Sequence, residues 1–127
     1  MIKAIIHQEP YLTEISSETN SIIADEPITH GGKATGMTPM ELLASSLAAC
    51  TCITLRMYAN RKQWDAQSIE TNIDIENKDT QTIFLRKIVF KGILSTEQAE
   101  RLLHIANHCP VHKLLTNTII INTSIND

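Results

Sequence analysis

The stretch TPMELLASSLAACTCITL, residues 38–55, decides how the rest of this 127-residue chain must fold. Thr38 stands at an N-cap position, Pro39 at the first helical position and Glu41 three residues after the cap, the spacing of a capping box that opens a helix. From Leu42 to Leu55 the helix carries no charge over fourteen residues, short of the roughly 20 apolar residues that a membrane span requires. It therefore reads as a buried helix. After Arg56 the pattern turns amphipathic through Met57, Tyr58 and Ala59 to Asn60, Arg61 and Lys62, so the helix should surface and end before Trp64. A helix apolar all round needs cover on every face. One small sheet covers one side only, which leaves the other for a second subunit.

The flanks supply strands. Ile69, Thr71, Ile73 and Ile75 alternate with Glu70, Asn72, Asp74 and Glu76, the period of a half-buried antiparallel strand. Residues 77–81 form a polar turn, and Ile83 to Ile93 should pair back as a hairpin. Ser95 and Gln98 open another helix with Ala99, Leu102, Leu103 and Ala106 as its apolar stripe. Because Pro110 disfavours helix at Cys109, that helix should stop near Asn107 and a short one begin at Pro110. Ile2 to Gln8, Tyr11 to Ser16 and Ser21 to Asp25 read as a three-strand meander, and Thr118 to Ile125 alternates again as a last strand. There is no repeat, linker or low-complexity tract. The order defines a single α+β domain over residues 1–127, of a size that can bury one core.

Composition narrows the partners. The net charge is −3 and Lys and Arg do not cluster, so nucleic acid and anionic membrane are not expected as partners. The opening MIKAIIHQEPYL has neither a cleavable signal pattern nor transit-peptide composition, which points to a cytoplasmic protein. In that reducing compartment three cysteines are core residues, metal ligands or redox-active thiols rather than a disulfide framework.

The three thiols differ in setting. Cys50 follows Leu43 and Leu47 along one helical face, with Thr54 and Met57 beyond it, and taken alone reads as a small core residue. Cys109 immediately precedes Pro110 at a helix start, where unpaired backbone N–H groups and the helix dipole favour a thiolate. His108 and His112 flank it as polar partners or caps. Cys52 lies about 200° around the helix from Cys50, so the two do not share one site and Cys52 is assigned to the core. Zinc held by Cys109, His108 and His112, with or without Cys50, is the competing reading. Adjacent His108 and Cys109 would chelate one ion only with awkward geometry, so no metal is expected.

TPMELLASSLAACT, the long helix leading to Trp64, and the later HCPVHKLL together resemble the osmotically inducible protein C / organic hydroperoxide resistance family, the OsmC-like proteins. The resemblance covers nearly the whole chain in element order, and its specific parts are a cysteine deep in a Pro-initiated helix and a Cys-Pro after the next helix. It implies antiparallel sheets wrapped around long central helices in an intertwined homodimer. It also implies a thiol peroxidase of oxidative-stress defence acting on organic hydroperoxides, with Cys50 as the attacking thiolate and Cys109 as the thiol that closes a disulfide on its sulfenic acid. A small dithiol or a dithiol-bearing protein would reopen that disulfide, and no metal, flavin or haem is implied.

Two departures bear on this. The family's well-known peroxidases carry an Arg in the N-terminal strands and a Glu beside the helix-opening Pro, a pair that keeps the thiolate charged. Here Met40 stands at the Glu position, Glu41 is one residue on and rotated by about 100°, and no Arg precedes Arg56. Glu41 is accounted for by its capping box with Thr38. Lys3, Lys33, Arg56, Arg86, His108 and His112 are the remaining sources of positive charge. A second reading follows from these departures: a non-peroxidatic OsmC-like protein that binds a small hydrophobic or thiol-bearing ligand in an apolar pocket at the subunit interface.

Overall fold

The computed structural model describes residues 1–126. Residues Met1–Leu43 and Ala44–Asp127 form two compact units. In the first, β1 (Lys3–Ile6), β2 (Thr13–Ser16) and β3 (Ser21–Ala24) make the expected antiparallel meander, with Ala4 opposite Ile15 and Glu14 opposite Ile23. A single 3-10 turn, Ile28–His30, follows.

The loop after β3 is organised by one carboxylate. Asp25 accepts from the Thr35 hydroxyl at 2.6 Å and from the amides of Thr35, Lys33 and Glu26 at 3.1, 3.3 and 2.8 Å. Its side chain is only 2% exposed, covered by its own loop rather than sunk in a core. Gly32 is needed here, because a Cβ at this position would run into the Glu26 carbonyl and the Asp25 carboxylate. The hydrogen bonds, led by those from Thr35, lower the Asp25 pKa to about 2.

Helix α1 (Pro39–Lys62) begins at the end of the first unit and supplies the second with its central helix. Its N-terminus is the expected capping box: Thr38 Oγ1 accepts from the Glu41 amide at 3.2 Å and Glu41 Oε1 from the Thr38 amide at 3.0 Å. Its C-terminus is a Schellman motif with a glutamine in the left-handed position. Gln63 has φ 58°, the Trp64 amide donates to the Ala59 carbonyl at 2.9 Å, and the Gln63 amide donates to Asn60 at 3.1 Å.

Strands β4 (Asp65–Lys78) and β5 (Gln81–Ile93) form a long hairpin closed by Asp79 and Thr80, with Asp79 at φ 40°. Ile69, Thr71, Ile73 and Ile75 are half-buried and the residues between them exposed, as the alternation requires. A bulge between Ala66 and Ser68 faces Gly92, whose φ of 125° only glycine adopts freely and whose missing Cβ makes room for the Asp65 carbonyl. Helix α2 (Thr96–Ala106) opens on the expected Ser95–Gln98 capping box and ends with Asn107 as its C-cap; α3 (Pro110–Leu115) starts at Pro110 with Cys109 as its N-cap.

The core of the second unit gathers Leu55 and Ala59 of α1, Ala66 of β4, and Leu102 and Ala106 of α2, with Trp64, Ile69, Ile88, Phe90 and Ile105 packed around it. Three of the five central residues are alanines, which lets the elements approach closely.

Two expectations need correcting, and a third, the burial of α1, is met on one side of the helix within one chain. Within one chain α1 is buried along one stripe, Leu47, Thr51, Leu55 and Ala59, while Ile53 and Met57 are 56% and 61% exposed. The reason is the one anticipated, since a single hairpin and one helix cover only one side. Leu103 is exposed rather than part of the α2 stripe, because the inward direction is fixed by Leu102 and Ala106 four residues apart. Thr118 to Ile125 forms no ladder among the described residues, and Ile119, Ile120, Ile121 and Ile125 are exposed. A strand exists only where a neighbouring edge pairs with it, and none of the five described strands pairs with this segment.

Because the folded pKa of Asp25 lies below its ordinary value, the stabilisation it gives is present above about pH 4 and lost as pH falls through about 2. We expect Asp25→Asn to lower the melting temperature by several degrees at pH 7. The gap to the unsubstituted protein should narrow as pH falls from 4 to 2, as read by thermal unfolding across that range; a gap independent of pH would show that the carboxylate charge is not what holds the loop.

Candidate thiol site

All of the site's side chains come from the second unit. Cys50 sits on α1 one residue before Thr51, the polar member of the buried stripe, and is half-buried. Cys109 is 0% exposed. The two thiols are neighbours, and Cys50 contributes to raising the Cys109 pKa. These are the two thiols that the family resemblance pairs, and both are free here.

At the start of α3, Cys109 Sγ accepts from the His112 amide at 3.3 Å, taking the place of an N-cap oxygen. That bond favours the thiolate, as a helix start should. Burial outweighs it. Desolvation first, opposed by the His112 amide and reinforced by Cys50, raises the Cys109 pKa above the ordinary thiol value, so the group stays protonated near neutral pH. The sequence-based expectation of a helix-start thiolate at Cys109 is corrected on this point.

Arg86 of β5 completes the site. It lies on the same strand face as Ile88 and Phe90, which pack on the core, and opposite Ile73. Its Nη1 donates to Thr51 Oγ1 at 3.1 Å and to the Ala106 carbonyl at 3.2 Å; its Nη2 donates to Asn107 Oδ1 at 3.0 Å and to His112 Nδ1 at 3.1 Å. Since arginine only donates, His112 Nδ1 is the acceptor and a neutral His112 carries its proton on Nε2. Burial, the Arg86 charge and His108 together lower the His112 pKa, which holds the ring neutral. Thr51, itself fully buried, donates to the Leu47 carbonyl at 2.7 Å.

His108 is exposed, donates from Nδ1 to the His104 carbonyl at 3.1 Å and packs against the His104 ring at 4.9 Å. Lys33, in the first unit, forms an ion pair with Glu9 that raises its pKa. Glu41 is engaged in the capping box and Met40 is exposed, both at the start of α1 in the first unit. Cys52, half-buried rather than fully core, lies near Thr71 Oγ1 at 3.2 Å and the Ile69 carbonyl at 3.5 Å. It lines an apolar depression of about 370 Å³ together with Ile53, Arg56, Met57 and Ile69, with neither Cys50 nor Cys109 in the wall. Among the described residues no group of three His, Cys, Asp or Glu is arranged to hold a metal ion.

Sequence reasoning missed Thr51 and Asn107 altogether and left Arg86 as one of six possible cations. A signal was present for Arg86. In the run Phe84, Arg86, Ile88, Phe90 it is the one charged residue on an otherwise apolar strand face.

A paired-thiol α+β protein, built on a long helix, a β-hairpin and a Cys-Pro helix start, is the class that fold and site define. The family model of OsmC-like proteins matches residues 31–124, and the chain belongs to that family. No curated protein sequence matches it. Among solved structures it is similar to an OsmC-like protein of Mycoplasma pneumoniae, with 20% identity, a TM-score of 0.78, and 91% of this chain and 85% of the other covered. An osmotic stress and detoxification response protein of Psychrobacter arcticus 273-4 shares 23% identity at a TM-score of 0.76, with 89% and 85% covered. The organic hydroperoxide resistance protein OhrB of Bacillus subtilis shares 21% identity at a TM-score of 0.62, with 91% and 89% covered.

The contrast in burial has a direct readout. Iodoacetamide at pH 8 should modify Cys50 at least about tenfold faster than Cys109, whose labelling should climb only as pH passes the ordinary thiol range. Mass spectrometry of digests after timed quenching measures both; equal rates would contradict a buried, protonated Cys109.

Proposed function

We propose that the protein is a thiol-dependent peroxidase that reduces organic hydroperoxides to alcohols in the cytoplasm as a defence against oxidative stress. The observation that carries this reading is the meeting of Cys50 with a protonated Cys109 beside a fixed guanidinium. Membership of the OsmC-like family supports it, as does likeness of fold to proteins named for organic hydroperoxide resistance.

In this scheme the Cys50 thiolate attacks the distal peroxide oxygen. The O–O bond breaks, the leaving alkoxide takes a proton to become the alcohol, and Cys50 becomes a sulfenic acid. Cys109 sulfur then attacks Cys50 sulfur, the S–O bond breaks, and hydroxide leaves as water with the Cys109 proton. A small dithiol or a dithiol-bearing protein reduces the disulfide by exchange through a mixed disulfide and is itself oxidised. The chemistry draws on sulfur alone and asks for no further cofactor.

The working form in this reading is a homodimer. The stripe of α1 carrying Ile53 and Met57 and the C-terminal run ending at Ile125, 91% exposed, are apolar surfaces that a second copy would cover. One observation favours the second reading, a protein that binds a small hydrophobic or thiol-bearing ligand without peroxidase chemistry. The depression beside Cys52 is of ligand size and apolar, with the Arg56 guanidinium in its wall.

Cumene hydroperoxide should be consumed with dithiothreitol as reductant. Cys50→Ser should lower turnover at least about a hundredfold, while Cys52→Ser leaves it unchanged. Mild oxidation should link Cys50 to Cys109 in the peptide map. No turnover and no sulfenic acid at Cys50 in the unsubstituted protein would leave the ligand-binding reading in its place. In light scattering the protein should have twice the mass of one chain, and Ile53→Asp should weaken association roughly a hundredfold by burying an unpaired charge. A monomeric unsubstituted protein at working concentration would overturn the dimer.

A further inference from the structure

Arg86 sits where strand alternation calls for an apolar side chain, so its position on the core face needs a reason. A guanidinium there is tolerated only when its donors are satisfied. The four Nη protons have four acceptors: Thr51 Oγ1, the Ala106 carbonyl, Asn107 Oδ1 and His112 Nδ1. These acceptors lie on α1, on the end of α2 with its C-cap, and on α3. Each stands within three residues of Cys50 or Cys109 in the sequence. Thr51 directly follows Cys50, and His112 is the residue whose amide donates to Cys109 Sγ. With its Nη protons committed, the guanidinium has no terminal donor left for a sulfur.

We propose that Arg86 is the positioning residue of the resolving step: its four bonds hold the Cys109 end of α2 and α3 against Cys50 on α1, so that the disulfide closes before Cys50 is oxidised further. This rests on the peroxidase reading above for the oxidant, but the geometry applies to any formation of the Cys50–Cys109 disulfide. The step itself is attack of Cys109 sulfur on the Cys50 sulfenic acid. The S–S bond forms, the S–O bond breaks, and water leaves with the Cys109 proton. Arg86 exchanges no atom or electron. It sets how often the two sulfurs are in line, and small displacements of reacting groups cost one to two orders of magnitude in rate.

The test separates attack from closure. With one equivalent of cumene hydroperoxide, dimedone trapping reads Cys50 sulfenic acid and mass spectrometry reads the disulfide. Arg86→Met should form sulfenic acid within about threefold of the unsubstituted rate but close the disulfide roughly ten- to a hundredfold more slowly, and with excess hydroperoxide, where a second equivalent is at hand, sulfinic acid should accumulate at Cys50. Arg86→Lys should not restore closure, because one ammonium cannot reach four acceptors in a fork. Asn107→Ala, at an exposed position, removes a single acceptor and should slow closure by a smaller factor; it keeps the proposal testable if Arg86→Met fails to fold.

Closure at the unsubstituted rate in Arg86→Met, or equal slowing of attack and closure, would overturn the proposal, the latter assigning Arg86 to thiolate charge. Restoration by Arg86→Lys would overturn it in the same way. A second arm uses no peroxide. In glutathione buffers the equilibrium favouring the Cys50–Cys109 disulfide should fall at least about tenfold in Arg86→Met. A fall in this arm with no sulfenic acid in the unsubstituted protein would sink the peroxidase reading and leave the positioning role standing.

Discussion

A helix without a polar face of its own constrains everything in the second unit of this protein. From Leu42 to Leu55 no side chain of α1 carries charge, and the fold answers by burying the stripe Leu47, Thr51, Leu55 and Ala59, with Leu55 and Ala59 packed against the β4–β5 hairpin and α2. Ala59, Ala66 and Ala106 keep the contact close around Leu55 and Leu102. One position in that stripe is polar. The Thr51 hydroxyl donates to Leu47 one turn back and accepts from Arg86, and in doing so opens an otherwise apolar interface to a charged group. Replacing this hydroxyl by a methyl group would remove one of the four acceptors that make Arg86 tolerable on a core-facing strand.

How much of this was legible in the sequence follows from the range of each interaction. The capping boxes at Thr38 and Ser95, the alternation from Ile69 to Ile75 and the stop before Pro110 are local, and each is found where the pattern put it. The left-handed Gln63 that ends α1 gave no such signal, since glycine or asparagine is the usual residue there. The site was legible in its cysteines, Cys109 from its local setting at a helix start and Cys50, which taken alone reads as a core residue, only through the family resemblance. Its polar frame was not, since Arg86, Thr51 and Asn107 meet only through packing. The C-terminal run shows the opposite failure. Alternation from Thr118 to Ile125 is a property of the segment, whereas a strand is a property of two paired edges, and this segment is paired with none of the described strands.

Cys109 shows how two correct physical tendencies are settled by magnitude. A helix start does stabilise a thiolate, and the His112 amide donates to Cys109 Sγ in the expected way. Complete burial acts against the charged form, and here it is the larger effect. The outcome suits a division of labour between the sulfurs. Under the proposed peroxidase reading, a Cys109 that stays protonated until Cys50 has been oxidised would not compete for the peroxide, and its proton would be at hand for the hydroxide that leaves when the disulfide closes.

The departure at Met40 and in the N-terminal strands can now be placed. In the resemblance drawn from sequence, the charge partners of the thiol belong to the segment before the central helix and to its first turn. In this chain that segment has other work: Glu41 caps α1, Lys33 pairs with Glu9, and Asp25 organises the loop between them. Cys50, Thr51, Arg86, Asn107, Cys109 and His112 all belong to the second unit, and the guanidinium among them comes from β5. Chemistry that depends on two sulfurs meeting in line gains more from a rigid frame than from a mobile charge.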